Sequence, residues 1–342
     1  MSQRITMNGK PVHTVPAKSV INFKSGFKAK LLCDGLTFTT GTACAFSCSF
    51  CYVPAMMNKS SHFRDMATGS PRFPEKFEDM VILRAGALDA MKSELVGKKG
   101  KPRFLDPADR RTIYASPLVD VAANMDLVRE TVEACKLILE FTNWNIRLLS
   151  KSNLLPKVAL ALAEDDNLCE QHRARIIYGV STGTLDDNLA AAFEQGTPLV
   201  SKRIASLHWL QDNGFRTYGM ICPSLPQTDY AKFASEMFYA LRAEKLEHVW
   251  AEPLNARGDS FLRTYSGLAK AGFQDEAEML KRVSENPEAW EDYARRTFEA
   301  HAAIYRGIKG ADGTPKLRFL QYVNNGNREF WTAKVNDGAV LL

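Results

Sequence analysis

The chain contains no run of about 18 apolar residues, the length a helix needs to cross a bilayer. Its first residues, MSQRITMNGKPVHTVP, lack the apolar core of a secretory signal. With seven cysteines in 342 residues, a disulfide framework is not expected either. Together these absences predict a cytosolic protein of a reducing compartment with no membrane partner. No excess of one charge stands out: 44 basic against 39 acidic residues leave +5, which permits nucleic-acid contact without arguing for it. Internal repeats, low-complexity segments, Ser/His/Asp constellations and metalloprotease motifs are also missing. What is present, 45% hydrophobic and 10% aromatic residues, suffices for one large folded domain, alone or with an extension.

Three of the cysteines, Cys44, Cys48 and Cys51, fall in the run GTACAFSCSFCYVP. A structural zinc site usually has two Cys-x2-Cys halves, and no second half exists here. A short loop with this spacing can instead set a thiolate on three irons of a four-iron cluster, whose irons take soft anionic sulfur donors. A ferredoxin closes the fourth iron with a fourth cysteine. None lies nearby, so one iron would keep an open position for a small molecule. Cys33, Cys135 and Cys169 read as structural, Cys135 from the middle of an apolar helix. Basic residues gather at Lys24, Lys28 and Lys30, and again at Lys98, Lys99, Lys101, Arg103, Arg110 and Arg111. A solvated loop accounts for each group as well as a phosphate track does.

From the cysteines onward, short β-branched runs alternate with longer amphipathic ones, the pattern of βα units on a parallel sheet. Strands are expected over 36–40, 112–116, 145–151, 175–182, 215–222 and 249–254. Helices are expected over 77–95, 125–141, 155–163, 198–213 and 229–244. Pro198 and Gly214 suit the start and stop of their helix, and 97–107 reads as a Lys/Gly/Pro-rich loop. Beyond Gly258, residues 261–308 have helical character, and 317–323 reads as a last strand before the polar NNGNRE segment.

The Cys-x3-Cys-x2-Cys spacing followed by an aromatic, Tyr52, resembles the signature of radical S-adenosylmethionine (radical SAM) enzymes. Four further blocks, IYASPLVDVAANMDLV, IRLLSKS, YGVSTGTLDDNLAAAFEQGTPLVSKRIASLHWLQDNGF and YGMICPSLP, are similar to the spore photoproduct lyase group, which includes proteins named DNA repair photolyases by similarity. The likeness runs from about residue 37 to 226. It implies an α/β fold: a partial (βα)6 radical SAM barrel over 31–258, an N-terminal extension over 1–30 and a mainly helical C-terminal extension over 259–342. It also implies a [4Fe-4S] cluster on Cys44, Cys48 and Cys51 that binds S-adenosylmethionine (SAM).

By the same resemblance Phe50 lies against the adenine, Tyr52 stands where backbone groups meet SAM, Lys151 and Ser181 meet its carboxylate or ribose, and Ser116 its methionine end. Phe50 could equally pack the loop. A lysine at a strand end is costly to bury without an anion, unless Lys151 is solvated. Ser116 and Ser181 are small enough to let a ligand approach and are ordinary turn residues too. In AEPLNARG, the cluster Glu252, Asn255 and Arg257 suits recognition of SAM or substrate, since Arg binds carboxylate or phosphate through a fork; a salt-bridged rim is the alternative. His62 and Arg64 follow the cysteine loop with nothing specific to select them.

One departure from the group matters. Spore photoproduct lyase uses a cysteine near the end of the second strand to return a hydrogen atom, and that neighbourhood here is Ala115-Ser116-Pro117-Leu118. Thymine-dimer repair is therefore not the expected reaction. Cys222 is the other thiol near the barrel mouth. It shares a strand face with Tyr218 and Met220, so it is either a hydrogen-atom donor or a small core residue. The expected function is radical SAM chemistry on a nucleic-acid base or nucleotide, fed by a one-electron donor such as flavodoxin or ferredoxin. Modification of a peptide or protein is the alternative, although no cysteine-rich tail for further clusters follows; a non-catalytic iron–sulfur protein is the third reading.

Overall fold

The computed structural model describes residues 6–7, 9–57, 67–68, 70–115, 117–255 and 258–342, with the side chain of Thr42 excluded. Among the described residues, thirteen strands form two sheets: β1 (Thr6–Met7), β2 (Lys10–Pro16), β3 (Ile21–Asn22), β4 (Leu36–Phe38), β5 (Gly41–Ala43), β6 (Val81–Ala85), β7 (Thr112–Ala115), β8 (Asn145–Ser150), β9 (Ile176–Thr182), β10 (Thr217–Ser224), β11 (Val249–Pro253), β12 (Leu317–Gln321) and β13 (Ala339–Leu341). The main sheet runs in the order β13-β12-β11-β10-β9-β8-β7-β4-β3. All its neighbours are parallel except the β3–β4 pair at one edge. The six expected strands are all present in sequence order, and the sheet continues past the sixth into β12 and β13.

Helices Met125–Phe141, Leu155–Ala163, Val200–Asp212 and Tyr230–Ala240 return the chain between parallel strands. They bury the outer face of the sheet, where Ile113, Ile146, Leu148, Val180, Ile221 and Ala251 belong to the largest apolar core. The alternate residues of the same strands point to the concave face, as a period of two requires. Tyr114, Ile177, Tyr218, Met220, Trp250, Leu320 and Val340 form a second cluster there. Gly179 belongs to this inner register, and a Cβ on it would lie 2.2 Å from the Tyr218 ring, so only glycine lets that ring cross β9.

The N-terminal segment occupies the hollow of the sheet. Phe27, Leu32 and Cys33 join the inner cluster. Arg147 Nη1 donates to the Leu31 and Leu32 carbonyls (3.1 and 2.7 Å), and Trp250 Nε1 donates to the Lys30 carbonyl (2.8 Å). Arg147 and Arg318 lie over the Trp250 ring at 4.9 and 4.8 Å. Cation–π stacking and backbone carbonyls thus hold two buried guanidinium groups where the strand pattern alone would place apolar side chains.

The region expected as one helix over 77–95 is corrected. It contains a short 3-10 turn (Phe77–Asp79), the strand β6 and only then the helix Ala87–Leu95, with Gly86 at φ 71° turning between them. The apolar run Met80–Leu83 fits both periodicities over so few residues, and pairing decides: β6 lies between β2 and β5 in a four-stranded sheet. The chain therefore leaves β4, crosses into this second sheet through β5, and enters the cysteine loop from there. After β11 come the helices Ser260–Lys270, Gln274–Ser284 and Pro287–Tyr305, matching the helical character read over 261–308. No helix among the described residues is long and apolar enough to cross a membrane.

Candidate active site

Inner register and strand ends together select the site. Lys151 follows Arg147 and Leu149 by parity on β8, Ser181 follows Ile177 and Gly179 on β9, Cys222 follows Tyr218 and Met220 on β10, and Glu252 follows Trp250 on β11. All four stand at or just past the C-terminal ends of parallel strands, the edge where open parallel sheets carry ligands. A cavity of about 180 Å³ opens beside the first two, lined by Cys44, Cys48, Cys51, Phe50, Tyr52, Lys151 and Ser181; Cys222 and Glu252 are not among its lining residues. Residues that lie almost 140 positions apart in the chain are thus brought to one wall.

The cysteine loop is held from three sides. Ser49 donates through its backbone N–H to the Phe193 carbonyl (2.8 Å), and its Oγ hydrogen-bonds Thr264 Oγ1 (3.1 Å). Ser47 Oγ donates to the Glu78 carbonyl (3.1 Å), and Arg263 Nη2 to the Cys51 carbonyl (2.9 Å). Gly196 N–H donates to the Phe46 carbonyl (2.8 Å), an approach so close that a Cβ would meet backbone atoms at 2.7–2.9 Å. Burial raises all three thiols: Cys44 is pushed up to about 12, with Asp120 adding to the effect. Cys48 rises with Glu194 adding and Lys151 opposing, and Cys51 rises against its hydrogen bond with Val53 and the Arg263 charge. Thiolate ligation of a metal would therefore release protons on assembly.

Lys151 already has its anion. Its Nζ lies 2.7 Å from Glu194 Oε1 and donates to the Cys222 carbonyl (2.8 Å), and it sits 5.2 Å above the Phe50 ring. Arg203 closes on the other oxygen of Glu194 at 2.5 Å, and neither side chain of that pair is more than 1% exposed. A bound ligand is therefore not needed to make a buried Lys151 affordable. Ser181 Oγ reaches the same Cys222 carbonyl (3.4 Å). Phe50 lines the cavity and packs edge-on against Phe193 (5.8 Å).

Glu252 lies elsewhere. It pairs with Lys30 (2.7 Å), approaches Cys222 Sγ at 3.8 Å, and lines a separate pocket with Asn255, whose Nδ2 donates to the Tyr322 hydroxyl (3.1 Å). Burial, then Glu252, push the Cys222 thiol up to about 12, with Lys151 and Lys30 opposing. Ser116, Arg257, His62 and Arg64 lie outside the described residues.

Sequence reasoning passed over Asp120, Glu194 and Arg263. Asp120 lines the cavity and accepts hydrogen bonds from Ser150 Oγ (2.7 Å) and from the Lys151 and Ala122 N–H groups (2.6 and 2.9 Å); burial raises its carboxyl against all three. Its signal was an acid inside an apolar run, SPLVDVAA. Arg263 comes from the C-terminal helices, and nothing local marks it.

The donor set suits a thiolate-held cluster: three cysteines face one cavity beside an aromatic, a hydroxyl and a lysine. Among the described residues no three His, Cys, Asp or Glu side chains gather around one ion position. A polynuclear cluster does not require that, since each thiolate takes a different iron.

Against known proteins, no family model matches the chain and no curated protein does. Solved structures do. A spore photoproduct lyase with phenylalanine in place of one tyrosine aligns with a TM-score of 0.55 at 11% identity, over 90% of this chain and 81% of that one. A form with serine in place of one cysteine aligns at 0.51 and 13% identity, over 76% of this chain and 66% of that one, just under two thirds of its length. A double variant with bound AdoMet and dinucleoside spore photoproduct aligns at 0.52 and 12%, with the same coverage. The chain therefore shares the fold of spore photoproduct lyase.

Proposed function

We propose that the chain is a radical SAM enzyme that takes a hydrogen atom from a nucleic-acid base or nucleotide, in repair or modification. The observation that carries this is the shared cavity wall: Cys44, Cys48 and Cys51 face the same space as Phe50, Tyr52, Lys151 and Ser181. Cys44, Cys48 and Cys51 would hold a [4Fe-4S] cluster as thiolates, and Arg263 fixes the backbone at Cys51. When bound, such a cluster supplies the electron that splits SAM into methionine and a 5′-deoxyadenosyl radical. The chain's own residues then bind and orient. Phe50 offers a ring face for the adenine; Ser181 offers a hydroxyl to the carboxylate or ribose, Lys151 the one N–H that Glu194 and the Cys222 carbonyl leave over, and Ser116 serves the methionine end.

Glu252, Asn255 and Arg257 belong to recognition of SAM or substrate in this reading, and Cys222 is the hydrogen-atom donor. A small one-electron donor, a flavodoxin or ferredoxin, completes the cycle. Thymine-dimer repair itself is not proposed, because the second strand ends without a thiol.

The test is anaerobic reconstitution with iron and sulfide followed by dithionite and SAM. Release of 5′-deoxyadenosine is expected; a full cluster that releases none overturns the reading. Cys44→Ala, Cys48→Ala and Cys51→Ala should each lose the cluster's visible absorbance, and retention of it would remove the ligand assignment.

A further inference from the structure

A second cavity, about 470 Å³, adjoins the candidate site, and Tyr52, Pro117 and Leu118 line both. The Tyr52 hydroxyl donates to the Pro117 carbonyl (2.6 Å), so one hydrogen-bonded side chain forms the wall between the two spaces. The larger cavity lies in the seam of the fold. Asn22, Thr37 and Phe38 come from the β3–β4 edge of the main sheet, while Tyr322 and Leu342 directly follow β12 and β13 at its other edge. The sheet curls until its edges share this space, and the N-terminal segment through Phe27 and Lys30 bridges them.

The size is that of a small-molecule site. Its chemistry is narrower than its size. Among the described residues lining it, Lys30 is the one charged side chain, and Glu252 closes on that charge at 2.7 Å. The remaining polar side chains are amides and hydroxyls, and aromatic side chains, Phe27, Tyr52 and Tyr322, stand around the space. Such walls favour a ring through its face and edge, and they penalise a charge that must leave water without a free partner.

We propose that the seam cavity is a binding site for an uncharged ring of the substrate, presented to the candidate site across Tyr52, with any charged part of the substrate left outside. The identity of this space as a substrate site rests on the radical SAM reading; its preference for an uncharged ring does not.

Indole and indole-3-carboxylate are suitable probes, the same ring without and with a charge, followed by ligand-observed NMR and calorimetry on the full chain. Indole is expected to bind, and the carboxylate at least tenfold more weakly. Ala29 and Met56 line the cavity from exposed positions. Ala29→Trp and Met56→Trp should therefore narrow it and weaken indole at least tenfold, with thermal unfolding showing that each variant folds. Absence of indole binding, equal binding of both probes, or indifference to both substitutions overturns the proposal. Release of 5′-deoxyadenosine by the reconstituted chain without indole binding overturns the seam site alone. Indole bound at the seam of a chain that cleaves no SAM supports the site and overturns the enzyme reading.

Discussion

Glu194 is fully buried between two cations, Lys151 and Arg203, and joins the candidate site to the helix behind it. Removing one partner from a buried pair leaves the other charge without compensation, which costs about 3–5 kcal/mol. Glu194→Gln keeps the shape and removes the charge, so a loss of that order is expected in the chemical unfolding midpoint. Adding Lys151→Met should recover part of it, because one stranded cation is then gone; an unchanged midpoint in Glu194→Gln would show that the pair contributes nothing. Cys222 calls for a different measurement. Its thiol is raised to about 12 by burial and by Glu252, so it stays protonated and keeps the hydrogen that a donor must give. Cys222→Ala should leave 5′-deoxyadenosine release in place while product formed per 5′-deoxyadenosine falls about tenfold or more, which corresponds to 1.36 kcal/mol or more on the hydrogen-return step. Full product yield in that variant would assign the donor elsewhere.

Among the elements, the cysteine loop depends on the turn after the helix Asp187–Phe193. Gly196 lies so close to Ala45 and Phe46 that a side chain must displace backbone rather than a flexible tip. Gly196→Val is expected to cost about 1–3 kcal/mol, the range for overpacking, and to lower the iron content after reconstitution while helix content by circular dichroism holds. Normal iron loading would show that the loop tolerates the shift. This contact illustrates what was legible in the sequence. The parallel strands were readable because their β-branched runs are bounded by clear helices and turns, and the parity of Tyr218, Met220 and Cys222 gave their common face directly. β6 was not readable, because a four-residue apolar run satisfies both periods and only its pairing with β2 decides. β13 is three residues long and exists through β12. For the site, the cysteine spacing and strand-end residues carried local signals. Glu194 and Arg263 carried none, since their roles come from what the fold brings opposite them.

For the molecule as a whole, the two basic clusters approach one another at the N-terminal edge of the main sheet, where Phe23, next to Lys24, packs against Phe104 (5.6 Å) and Trp144 (6.3 Å). Lys98, Lys99 and Lys101 are exposed on the segment that leads into β7, at the N-terminal edge of the main sheet and opposite the cysteine loop. Arg111 nearby is bound to Asp109 through two hydrogen bonds of 2.7 Å. Lys24 and Lys28 are exposed beside residues that line the seam cavity. A nucleic acid that places an uncharged base in the seam would leave its phosphates outside, beside Lys24 and Lys28, whose neighbours Ser25 and Ala29 line the cavity. Each phosphate contact on a single strand contributes roughly 0.7 to the slope of log K against log salt. Lys24→Gln with Lys28→Gln should therefore flatten the slope for single-stranded DNA by roughly 1.4, whereas the triple change of Lys98, Lys99 and Lys101 to Gln should leave it unaltered. The reverse result would move the nucleic-acid surface from the seam to the segment around Lys98. A negligible slope in the unmodified protein would exclude phosphate contact and turn the search toward uncharged ring substrates that are not nucleic acids.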